Sequence, residues 1–186
     1  RNKTRWSTVI YMVFISSMII PFQVVMLPLI ATFREVGKFV GLGMNGTLPG
    51  LIFAYCGFGG AMTVFILTGF IKGIPYELEE AAAIDGCSPE GTFFRIIFPL
   101  LKPCTATAII LMGMWIWNDF LNPMYILGTT AGKTITLGIY NSIGALTSKW
   151  NLVFANVILA SFPIVLLYLC MQKQFMSGLT AGAVKG

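Results

Sequence analysis

Four stretches of about twenty apolar residues, each nearly free of charge, constrain this chain more than anything else in it. They run over about 7–30, 47–71, 105–127 and 152–171, and segments of that length and polarity match the hydrocarbon thickness of a bilayer. An ordinary globular core does not require such runs. Of the 186 residues, 56% are hydrophobic and only 10% charged, against about 25% charged in soluble domains. Backbone groups in lipid find no water, so spanning segments must satisfy themselves. The expected fold is therefore all-α, a polytopic transmembrane helical bundle with about four visible spans. Pro21, Pro28 and Pro163 fall inside the runs, where spanning helices tolerate them because neighbours re-satisfy the freed carbonyls.

The exception to this apolar pattern is Gly73 to Pro103. Five of the seven acids sit there, at Glu77, Glu79, Glu80, Asp85 and Glu90. Pro75 suits the first position of a helix, the three glutamates favour its N-terminal turns, and Gly86 is a natural stop. Ser88 can cap a second helix beginning near Pro89 and running until Pro99 breaks it. The segment 73–103 is thus expected as a two-helix loop with a sharp corner at Gly86. On its first helix Glu77, Glu80, Ala81 and Ile84 share one face. Such a helix can enter a groove on a partner, or it can rest solvated at the membrane surface.

Several chemistries are excluded by what surrounds these segments. The chain has no histidine, and Cys56, Cys87, Cys104 and Cys170 are scattered without a Cys-x-x-Cys pair, so no metal or zinc site is expected. Gly41, Gly43 and Gly46 fit a dinucleotide fingerprint on paper, but no strand precedes them and no acid follows at the required distance. Gly128 to Thr134 resembles a phosphate loop with one residue too few between its glycines. No cofactor and no ATP site of its own are expected. Nor do the spans hold paired acids or a Ser-Lys set for an intramembrane enzyme. A net charge of +5 records topology rather than nucleic-acid binding.

With four spans, Arg1, Lys3, Arg5, Lys72, Arg95, Lys102, Lys173 and Lys185 lie on one side and Arg34, Lys38, Lys133 and Lys149 on the other. That bias puts the loop and the tail 172–186 in the cytoplasm. Residues 32–46 and 128–151 are then connections on the far side. Small residues such as Gly50, Ala54, Gly59 and Ala61 in the second span suit close helix approach within a bundle. Near the end of the third span stands Asp119, the one acid outside the loop in or beside a span. A carboxylate at a span centre costs about 2.5–3.5 kcal/mol on insertion scales. Trp117, Asn118, Asp119 and Asn122 are accordingly candidates for a pathway or inter-helix role, against placement of Asp119 at the interface beside an aromatic belt that includes Trp115.

Glu80-Ala81-Ala82, three residues, Gly86, nine residues, Ile96 and then Phe98-Pro99 resembles the EAA loop of ATP-binding-cassette importer permeases, with Phe98 where leucine is usual. Further likeness lies in Pro21-Phe22, Leu27-Pro28-Leu29, Trp117-Asn118-Asp119 and the closing Gly178 to Gly186, which look like the carbohydrate-uptake branch, similar to maltose-type inner-membrane permeases. The resemblance implies a permease subunit of a bacterial or archaeal inner membrane that imports a sugar or oligosaccharide. It implies as partners an ATP-binding-cassette ATPase dimer, a second permease subunit and an extracytoplasmic solute-binding protein. It also implies that Glu77, Glu80, Ala81, Ala82, Asp85 and Gly86 form the ATPase contact. Family members usually have about six spans, and the chain begins at Arg1 rather than methionine, so about two upstream spans are expected beyond it. Other cargo, such as a polyol phosphate, polyamine or amino acid, is an alternative, as is a non-transporting membrane scaffold. Basic cargo would call for several acids within the spans, whereas Trp115, Trp117, Phe120 and Tyr125 with Asn118, Asn122 and Asn156 suit a neutral polyhydroxyl one.

Overall fold

A computed structural model of the chain describes residues 4–41, 43–128, 134–143 and 150–183, with side chains through Gln172. Among the described residues every regular element is a helix. Lys133, Lys149 and the side chains of the Gly178–Gly186 motif, Lys173 and Lys185 lie outside that description, as do Arg1 and Lys3 and most of the phosphate-loop look-alike.

The first apolar run forms two helices that meet at a sharp bend. α1, Arg5–Ser17, is capped by Thr4, whose hydroxyl accepts from the Ser7 N–H. α2, Phe22–Val40, follows at an angle of 106°. The residue before a proline avoids helical geometry, and Pro21 sits at this corner as the cap of α2. Pro28 stays inside α2, with the Thr32 hydroxyl donating to its carbonyl at 2.8 Å. α2 also extends into the stretch expected as loop and ends at Gly41, whose φ is 71°. Arg34, Glu35 and Lys38 lie on the surface of this helix, where Lys38 pairs with Glu35 at 2.9 Å.

α3, Leu48–Gly73, starts with Thr47 as cap and Pro49 in its first turn. Its 26 residues would extend about 39 Å, enough to cross a bilayer core. Gly50, Leu51, Ala54, Gly59 and Ala61 form its buried face. A short loop comes next, holding α4, Glu77–Ile84, and a helix composed of α5, Pro89–Thr92, a π-helical turn, Phe93–Ile97, and α6, Phe98–Leu100. Pro99 therefore does not end this helix. It has no N–H for the carbonyl four residues back, and the wide turn ahead of it takes up the mismatch. The bend comes at Leu101 instead, where α7, Lys102–Asn118, leaves at 64°.

The third apolar run is likewise interrupted, with α7 stopping at Asp119 and α8, Leu121–Ile126, resuming after it. α9, Ile135–Asn141, capped by Thr134, lies in what was expected as a polar connection. α10, Trp150–Ala183, contains Pro163 and packs chiefly on α7. Among the described residues two helices, Leu48–Gly73 and Trp150–Gln172, are long and apolar enough to cross a membrane, and up to four crossings result if each bent pair counts as one.

Two apolar clusters fix the ends of this arrangement. Phe33, Leu51, Ala54, Ile126 and Leu127 join α2, α3 and α8. Ile74, Ile97 and Leu101 form a smaller knuckle where α3 enters the loop and α7 leaves it, with Phe70 and Ile71 against them.

Candidate functional site: a coupling-type loop and a polar hub

At the loop end, α4 begins at Glu77, two residues later than the proline would place it, with Tyr76 as cap and its carbonyl accepting from the Glu79 and Glu80 N–H groups. The glutamates occupy the first turn, where the helix dipole favours them. The helix closes as the Cys87 N–H reaches back to the Ala82 carbonyl at 2.9 Å while Gly86 takes φ 77°. A Cβ on Gly86 would meet nothing within 4 Å. What restricts this corner is backbone conformation rather than space. Ser88 then caps α5, accepting from the Gly91 N–H at 3.1 Å.

Glu77, Glu80, Ala81 and Ile84 form one exposed face, and Ile84 is 86% exposed. Asp85 and Gly86 are exposed beside it. Ala82 is not, being only 2% exposed. Its side chain therefore points inward, away from the exposed face that carries Ala81. Helical spacing places Ala81 on the face of Glu77, Glu80 and Ile84, and the structure exposes that face while burying Ala82. Phe93, Phe94 and Phe98 form a second exposed apolar group, with ring centroids 5.0–6.4 Å apart.

At the opposite end of α3, Asp119 is the centre of a hydrogen-bonded hub. Its Oδ2 accepts from the Tyr55 hydroxyl and from Asn122 Nδ2, each at 2.8 Å, and its Oδ1 accepts from the Leu121 N–H at 3.1 Å. The Asp119 carbonyl accepts from the Thr136 hydroxyl of α9 at 2.7 Å. Asp119 thus ends α7, accepts from the first N–H of α8 and ties both to α3. The Tyr55 ring packs edge-on to Trp115, centroids 5.7 Å apart. Asn122 is 3% exposed, and its Oδ1 has no donor among the described residues.

The other sequence candidates go elsewhere. Trp117 Nε1 donates to the Ala160 carbonyl of α10 at 3.0 Å, whereas Asn118 folds back on the Met114 carbonyl of its own helix at 2.8 Å. Phe120 packs on Tyr140, ring centroids 4.9 Å apart. Tyr55 and Thr136 escaped sequence reasoning. A lone tyrosine in a glycine-rich span was the available signal for the first, but its partner lies 64 residues away.

Between the bent α1–α2 pair, α3 and α7 lies an open cavity of about 700 Å³, lined by residues such as Phe22, Leu29, Phe53, Met62 and Trp115. None of its lining side chains is charged. No group of three acids or cysteines comes together to hold a metal among the described residues.

Residues 1–180 match the family described as binding-protein-dependent transport system inner membrane component. The chain belongs to this family. It is 44% identical over 185 residues to a probable starch degradation products transport system permease protein of Thermoanaerobacterium thermosulfurigenes, covering all of this chain and 65% of that relative. It is 40% identical to a melibiose/raffinose/stachyose import permease protein of Bacillus subtilis, over all of this chain and 66% of that one. A multiple sugar-binding transport system permease protein of Streptococcus mutans is 35% identical, with the same 66% covered. The chain thus spans about two thirds of the length of these permeases, and its helices are those of a membrane component of that family.

Proposed function

We propose that this chain is part of the permease subunit of an ATP-binding-cassette importer that carries a neutral sugar or oligosaccharide into the cell. The observation that carries the reading is the match of nearly the whole chain to the transport family, together with relatives whose names specify starch products and raffinose-type sugars. The loop 73–103 and the C-terminal tail face the cytoplasm, in keeping with the excess of lysine and arginine on that side. A separate ATPase dimer receives the face formed by Glu77, Glu80, Ala81 and Ile84, with Asp85 and Gly86 setting its edge. Exposed carboxylates around an apolar tip suit a groove with a basic rim. A second permease subunit and an extracytoplasmic solute-binding protein complete the assembly. Alternating access needs an energy difference between two states, and ATP hydrolysis by the partner supplies it.

The apolar, uncharged lining of the cavity supports a neutral cargo over a polyamine or a phosphorylated polyol, either of which would need opposite charge along its path. The test is reconstitution of the full-length subunit with its neighbouring ATPase, permease and binding protein in liposomes. ATP hydrolysis and uptake that both rise with binding protein plus an oligosaccharide are expected. Absence of any such stimulation across a panel of neutral sugars would sink the reading.

A further inference from the structure

The helices on either side of the loop, α3 and α7, meet at four levels. Tyr55 reaches Asp119 at 2.8 Å. Gly59 is buried so close to α7 that an added Cβ would lie 3.2 Å from Met112 Sδ. Cys104 Sγ points at the Ile66 carbonyl from 3.8 Å, and Ile74 packs in the knuckle with Leu101. Going from 55 to 59, 66 and 74 on one helix, the partners descend from 119 to 112, 104 and 101 on the other. These are the rungs of an antiparallel ladder about 28 Å tall, nearly the thickness of a bilayer core.

The rungs differ in kind. The lower three are apolar packing or a weak sulfur contact, which can slide. The top rung is a carboxylate with three neutral donors in fixed directions, and directional bonds resist sliding as packing does not. It also stands at the break between α7 and α8, where the helix itself gives no stiffness.

We propose that Tyr55, Asp119 and Asn122 are positioning residues that clamp the far ends of α3 and α7, so that the two arms leaving the loop move as one rigid frame. Motion imposed on the loop then reaches the opposite membrane face. Without the clamp the arms splay and the motion is absorbed. This rests on the transport reading above, but part of its test does not.

The test uses the full-length subunit in its assembled complex, comparing Tyr55→Phe, Asp119→Asn and the double variant. Tyr55→Phe removes one donor and keeps the ring against Trp115. Uptake is expected to fall about tenfold in each single variant while ATP hydrolysis stays within about twofold, and the double variant to be no worse than Asp119→Asn, as for groups acting in one contact. Parallel loss of uptake and hydrolysis, or strictly multiplicative losses, would overturn the clamp. A second readout needs no cargo: spin labels at the exposed Ile52 and Ile116, attached through an encoded keto amino acid that leaves the cysteines in place. A narrow distance distribution that broadens in Tyr55→Phe is expected. An unchanged distribution refutes the clamp, whereas failure of the unsubstituted complex to transport sugar refutes the functional reading alone.

Discussion

Both ends of α3 lead to acidic residues, and the two ends use them in opposite ways. At the loop, Glu77, Glu80, Asp85 and Glu90 are exposed around the corner at Gly86. At the far end a single acid, Asp119, collects three donors from three different residues and joins α3, α7 and α8. Exposed carboxylates add little to stability, since water solvates them as well as a partner would and salt screens them. An inward carboxylate must be fully matched by donors, and its loss strands them. Substitutions at the loop should therefore act on recognition, and those at the hub on conformational integrity.

The largest effect is expected from Asp119→Ala, which leaves the Tyr55 hydroxyl, Asn122 Nδ2 and Leu121 N–H without their acceptor. Stranding the buried Asn122 amide together with two half-buried donors should cost about 3 kcal/mol, read as a fall in the thermal midpoint of the purified subunit in detergent. A change of no more than a degree would remove the contrast between the two ends. Next comes a paired substitution within the loop. Ala82→Leu forces bulk into a site only 2% exposed, costing about 1–3 kcal/mol by overpacking. Ala81→Leu, one residue earlier and exposed, should stay within about 0.5 kcal/mol yet weaken ATPase binding in co-purification. Equal behaviour of the two would mean that the loop has no inner and outer side. Gly86→Val should cost about 1–2 kcal/mol, less than Asp119→Ala, for a β-branched residue held at φ 77°, together with reduced uptake while the spans remain inserted. Normal uptake by that variant would show that the corner angle carries no signal.

Much of the fold was legible because lipid imposes a length and a polarity that soluble cores do not. The loop was legible too: the proline, three glutamates, glycine and serine each act locally, within a turn of the backbone they control. The features that escaped had non-local causes. Arg34, Glu35 and Lys38 have the composition of a loop but share the surface of α2, a distinction that depends on what packs against the other side. Asp119 was visible as an unusual acid, but its donors come from Tyr55 in another helix as well as from nearby residues. Trp117 and Asn118 stand next to it in sequence and point to other partners, because successive helical residues lie about 100° apart.

The π-helical turn at Phe93–Ile97 bears on how this region can change in length. Such a turn accommodates one residue more than an α-helical turn without rotating the helix beyond it. Deleting one residue there would let the segment close as ordinary α-helix with Leu101 still aimed at Ile74. The same deletion elsewhere between Gly86 and Leu101 would swing that side chain by about 100° and pull it out of the knuckle. Between the corner and the spans, then, the chain has one place where a gain or loss of a single residue leaves the helix faces in phase.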